Sequence, residues 1–171
     1  MMRHRLPFLI VFLGCAGLLG FGFYLQHGQG LEPCPLCLLQ RGAYGLVGTI
    51  ALLAVLHGPG PVGRILYAAG LELGALLGLA LAGRQVWLQH LPKDKVPACG
   101  ADLKFMLENF PLAQTVEELF KGSGECAKVD WTFLSLSIAE WSLAAFAVFF
   151  LTANGIVVLA VLALRARRQG G

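Results

Sequence analysis

Residues 32–56 read EPCPLCLLQRGAYGLVGTIALLAVL, and the way this stretch is divided decides the fold. Its uncharged part runs from Gly42 to Leu56, roughly 15 residues or about 23 Å of helix. A membrane-spanning helix needs about 20 apolar residues. The segment can therefore cross only if the helix also takes in residues before Arg41. Arg41 then lies just inside the hydrocarbon edge, and Cys34-x-x-Cys37 lies at or above the first turn.

The other apolar runs are long enough without help. Leu6 to Leu25 has no charged residue, Ile65 to Leu88 contains only Glu72 and Arg84, and Trp141 to Leu164 is uncharged. The whole chain is 57% hydrophobic and 13% charged, against about 25% charged for soluble domains. These features predict an all-α membrane protein: one domain over 1–171, built as a four-transmembrane-helix bundle. The expected spans are about 6–26, 37–57, 65–88 and 141–164, with loops at 27–36 and 89–140. Arg3, His4 and Arg5 resemble the start of a signal peptide. The first apolar run is too long for one and FGFYLQH offers no small-residue cleavage site, so the helix is read as retained. A net charge of +3 with no basic stripe gives no support to nucleic-acid binding.

Four spans put both termini on one side, with Arg3, Arg5, Arg64, Arg165, Arg167 and Arg168. Arg41 and lysines 93, 95, 104, 121 and 128 lie on the other. The numbers tie, but the arginines of the first side crowd into short segments. Positive charge in short loops marks the cytoplasm, so both termini are expected there and the cysteine loops on the far side.

Of the five cysteines, Cys15 sits mid-span and reads as a small packing residue. Cys34 and Cys37 fall in the first outer loop, Cys99 and Cys126 in the second. In that second loop LKFMLENF sets Leu103, Met106, Leu107 and Phe110 on one helical face. Thr115 and Glu118 fit a capping box. Short amphipathic helices are expected there. Pro97, Gly100 and the Gly122-Ser123-Gly124 run mark loose backbone around the second cysteine pair. Three readings compete for the four loop cysteines. A zinc site would want a second closely spaced pair, and Cys99 and Cys126 are far apart in sequence. Structural staples would make a non-enzymatic four-span protein, but a Cys-x-x-Cys closes a loop too small to add much stability. Redox work suits Cys-x-x-Cys best, because that spacing lowers thiol pKa values.

The stretches QHGQGLEPCPLCLLQR, GRQVWLQH, SGEC and DWTFLSLSIAEW, in this order, resemble the disulfide bond formation protein B (DsbB) family of bacterial inner membranes. Vitamin K epoxide reductases share a four-helix core but carry their Cys-x-x-Cys on the last core helix, unlike this chain. The resemblance implies a protein-dithiol:quinone oxidoreductase, multi-pass in the inner membrane, working on the periplasmic side. Cys34 and Cys37 would form the pair oxidised by a bound ubiquinone or menaquinone, with Cys37 nearest the ring. Cys99 and Cys126 would take electrons from a DsbA-like thioredoxin-fold partner, Cys99 forming the mixed disulfide and Cys126 then exchanging with Cys34. Arg41 matches the arginine of the quinone site, and His90 a histidine at the outer end of the third span. No metal is implied.

The redox arithmetic agrees. Moving two electrons from a DsbA-like dithiol at about −120 mV to an ordinary one at about −270 mV costs roughly 7 kcal/mol, so turnover needs a stronger oxidant. The sequence offers no haem-attachment motif and no Rossmann glycine pattern; the lipid-soluble quinone that the resemblance implies would fit the role best. Arg41, at i+4 from Cys37, shares its helix face and stays charged. It would stabilise a Cys37 thiolate and negative charge on a reduced quinone. Glu72 falls nearer the cytoplasmic end and reads as a neutral structural carboxyl, with Asn154 at similar depth as a hydrogen-bonding partner. Arg84 reads as snorkelling to the interface.

Overall fold

The computed structural model describes residues 4–92, 94–96, 111 and 124–169. The helices expected around residues 103–110 and 115–120 lie outside them, as does Cys99.

The first helix, α1, spans Leu6–Gly28 and carries Pro7 in its first turn, where the fixed φ of proline is well suited. Helix α2 spans Pro35–His57, starting two residues earlier than the sequence expectation. Its start is written locally: Cys34 is the N-cap, its sulfur accepting the Cys37 amide hydrogen, and Pro35 follows at N1. The 23 residues give about 34 Å of helix, enough to cross the hydrocarbon. Gly58 closes α2 in the left-handed conformation, φ +57°, where a side chain would be strained. Helix α3 follows at once, Pro61–Gln89, from a Gly60 N-cap. All four long helices, the last being α5 at Ile138–Gln169, are long and apolar enough to span a membrane.

Between α3 and α5 lie a one-turn helix, α4 (Gly124–Ala127), and a small antiparallel hairpin, β1 (Thr132–Phe133) with β2 (Leu136–Ser137). The hairpin was not anticipated. Its turn holds Leu134 and Ser135 at positive φ, where hairpin turns usually announce themselves with Gly, Asn or Asp. Ser137 then caps α5: its hydroxyl accepts from the Glu140 amide, and Glu140 accepts from the Ser137 amide. This reciprocal pair is a capping box.

Packing runs α1–α2–α3–α5, with α3 against α5 the most extensive pairing and α1 only lightly in contact with α5. Small residues allow the close approaches, as in many membrane bundles. Gly48 faces Cys15, which is buried as a packing residue. At Gly78 an added Cβ would run into the Phe146 ring. Phe146 stacks on Tyr44, centroids 4.2 Å apart, and meets Phe149 edge-on. Gly14 lets Phe149 reach α1; from that level towards Leu25 and Ile138 a cavity separates α1 from α5.

Glu72 is half-buried on α3 with no hydrogen bond or ion pair among the described residues. Asn154 does not serve it: its amide donates to the Phe150 carbonyl one turn back on its own helix. Arg84 lays its guanidinium 4.2 Å from the centroid of Trp87, a cation–π contact of the kind found at interfaces.

Candidate functional site

The site is built where the N-terminus of α2 meets the C-terminal part of α3 and the short α4. Leu36, Leu81, Leu88 and Cys126 form a small buried cluster there, with Cys34 packed against it. Burying Cys126 on α4 brings it to Cys34, although 92 residues of sequence separate them, and the two side chains hydrogen-bond. On its other side the Cys34 thiol donates to Cys37 Sγ at 2.9 Å. Hydrogen bonds to Cys126 and Cys37, with burial behind them, push the Cys34 thiol well above the ordinary thiol range. It therefore stays protonated and donates. All three cysteines are free thiols here. Three of the four sequence-predicted cysteines thus converge; Cys99 lies outside the described residues.

Cys34 and Cys37 border a cavity of about 790 Å³, within the range of small-molecule sites. Leu18, Phe21, Leu25, Tyr44, Val148 and Phe149 make it largely apolar. Towards the α5 start an aromatic series closes one wall: Phe21 meets Trp131 edge-on at 5.4 Å, Trp131 stacks on Phe133, and Trp141 donates to the Phe133 carbonyl. The unforeseen hairpin is what carries this wall.

Arg41 also lines the cavity, but it is not devoted to Cys37. Its guanidinium donates to Gln26 Oε1 and, at 2.9 Å, to the Gly22 carbonyl, and it lies 5.3 Å from the Phe23 ring centroid. Gly22 keeps this approach open, since a Cβ there would meet Arg41 Nε at 3.3 Å. Arg41 thus ties α1 to α2 while presenting a fixed charge at the cavity. His90 is elsewhere. It caps the end of α3, exposed, with Nδ1 2.8 Å from the Val86 carbonyl oxygen, and is not part of the cavity lining.

Two glutamines that the sequence reading passed over join the site. Gln85 of α3 and Gln40 of α2 are 4% and 3% exposed, and Gln40 donates to Gln85 Oε1 at 2.6 Å. Gln85 Nε2 in turn lies 3.4 Å from Cys34 Sγ and 3.3 Å from Cys37 Sγ. The available signal was their chemistry: an amide inside an apolar helix needs a partner across a helix interface.

Comparison with known proteins fits this arrangement. A family model described as disulfide bond formation protein DsbB matches residues 4–161. The disulfide bond formation protein B of Azoarcus sp. is 54% identical over 142 residues, covering 82% of this chain and 85% of its own. The Aromatoleum aromaticum protein of that name is 49% identical over 167 residues, 98% of this chain and 95% of its own. That of Chromobacterium violaceum is 43% identical over 169 residues, 99% and 98%. With three cysteines gathered beside an apolar cavity among four membrane-spanning helices, the chain belongs to the disulfide bond formation protein B family, multi-pass membrane oxidoreductases of disulfide formation.

Proposed function

We propose that the protein oxidises a DsbA-like periplasmic dithiol protein and passes the electrons to a membrane quinone, as one membrane domain of the bacterial inner membrane. The observation that carries this reading is Cys34, in contact with Cys37 on one side and Cys126 on the other. A thiol between two others is the geometry a disulfide relay requires. The partner's thiolate attacks the Cys99–Cys126 disulfide, forming a mixed disulfide at Cys99 and releasing Cys126. The partner's second thiol resolves it, leaving as a disulfide. The Cys126 thiolate then attacks Cys34 of the Cys34–Cys37 disulfide, which frees Cys37. Cys99 closes back on Cys126, which releases Cys34 and leaves the two electrons on the Cys34–Cys37 dithiol.

The cavity residues fit a quinone. Its lining is apolar, as a ring and prenyl tail require, and Cys37 and Arg41 both border it. A bound quinone supplies a two-electron, two-proton oxidant. The protein's part is to hold Cys37 beside the cavity, to set the Arg41 charge there and to keep water out with the Trp131–Phe133–Trp141 wall. His90, at the same end of α3, is retained as a quinone-side residue acting from outside the lining. Cytoplasmic termini follow from the arginine-rich segments near Arg5, Arg64 and Arg165.

Purified protein supplied with a dithiol donor and quinone tests this directly. Donor-dependent quinone reduction is expected, and its absence would leave the non-enzymatic, stapled-loop alternative. Within that assay, a partner whose second cysteine is replaced by serine should be trapped as a mixed disulfide on Cys99, visible on non-reducing gels. No adduct under turnover, with Cys34 and Cys37 intact, would overturn the relay. Glu72→Gln should leave quinone reduction nearly unchanged, because Glu72 is remote from the cavity lining. A loss of tenfold or more, about 1.4 kcal/mol of barrier, in well-folded protein would instead make it part of a proton path.

A further inference from the structure

Gln85 has the surroundings of a working residue rather than a filler. A buried primary amide must find partners for its carbonyl and its two N–H groups. Gln85 gives its oxygen to Gln40 and turns its nitrogen towards both sulfurs of the Cys34–Cys37 pair. Cys37 Sγ lies 3.3 Å from the amide nitrogen and 3.6 Å from the amide oxygen. As a thiol it donates to the oxygen, and as a thiolate it accepts from the nitrogen. Gln40 is three residues after Cys37 on α2, so the same helix face carries the sulfur and the group that orients the amide facing it.

We propose that Gln85 is the positioning residue of the Cys34–Cys37 pair, holding the two sulfurs together and stabilising the Cys37 thiolate, with Gln40 fixing the orientation of its amide. This rests on the electron-transfer reading above and adds the group that prepares its reacting thiol. A neutral donor suits the task. A cation at the same place would depress the thiol further, and nucleophilicity falls as thiol pKa falls. The amide favours the thiolate without adding a charge, its nitrogen lying closer to Cys37 Sγ, at 3.3 Å, than the oxygen that accepts from the protonated form, at 3.6 Å.

The test uses the full-length, reduced protein and reads the rate of Cys37 alkylation against pH, the modified site being identified by peptide mass. Gln85→Leu should lower the Cys37 rate about tenfold at neutral pH, equivalent to about 1.4 kcal/mol, and displace the profile to higher pH. Gln40→Leu should displace it in the same direction by less. Gln85→Glu keeps the side-chain size but sets a carboxylate against the sulfur, so it should displace the profile at least as far. It carries the test if Gln85→Leu does not fold. A structural role alone would reduce yield and thermal stability and leave the profile of folded protein in place; an unmoved profile in folded Gln85→Glu would overturn the proposal. The two readings fail separately. Wild-type protein that reduces no quinone, alongside variants whose profile is displaced, sinks the electron-transfer reading. Wild-type turnover with an unmoved profile sinks the role of Gln85 alone.

Discussion

Phe146→Ala is expected to cost about 3–5 kcal/mol of stability, the usual range for removing a fully buried ring, or roughly two to four decades in the folded-to-unfolded ratio. Phe146 is completely buried, stacked on Tyr44 and held edge-on by Phe149, with the backbone of Gly78 pressed against its far edge. Collapse into the space is limited, because its neighbours are bulky rings and helix backbone. Gly78→Ala should also destabilise, since the ring cannot swing away from the new methyl; overpacking of this kind costs about 1–3 kcal/mol. The two changes should not add. In the Phe146→Ala background the methyl at position 78 meets no ring, so its penalty should largely disappear. A denaturation series in one detergent gives the coupling. Additive effects would mean that α3 and α5 do not meet through this contact.

Arg41→Met is expected to lower quinone-side efficiency by about 10- to 150-fold, the equivalent of a charge-assisted hydrogen bond worth roughly 1.5–3 kcal/mol. Methionine keeps an unbranched apolar side chain while removing the charge and all five donors. Two of the guanidinium nitrogens already serve Gln26 and the Gly22 carbonyl, so part of the effect will be lost order between α1 and α2. The charge at the cavity is the remainder. Lysine should restore that part and not the fork that grips two acceptors on α1, giving partial rescue. The loss should appear in KM for quinone, in kcat, or in both, while KM for the dithiol partner moves little. If quinone kinetics are spared and only protein yield falls, Arg41 is a tie between helices and not part of the quinone site.

How much of this could be read in advance follows from where each signal lies. The spans were legible because hydrophobic runs are local and their length is set by the bilayer. The Cys34–Cys37 pair and Arg41 were legible because their spacing lies on one helix. The exact start of α2 at Pro35, two residues before the expected span, has no strong local mark because cysteine is not among the usual capping residues. The capping box at Ser137 and Glu140 was present in the sequence and overlooked. The hairpin was hidden because Leu134 and Ser135 adopt positive φ without the usual turn residues. Gln40 and Gln85 became partners only through tertiary packing, 45 residues apart. The encounter of Cys34 with Cys126 is of the same kind: family resemblance suggested it, and no local pattern in either segment did.

The dual use of Cys34 has a practical consequence for variants. One sulfur atom both closes the first turn of α2 and stands in the thiol chain. An alanine at this position deletes electron chemistry and helix cap together, and a defect in such a protein cannot be apportioned. Serine is among the best N-caps, and its shorter hydroxyl can accept the same Cys37 amide hydrogen. Cys34→Ser is therefore a clean subtraction. It takes away the redox atom and leaves the architecture that displayed it.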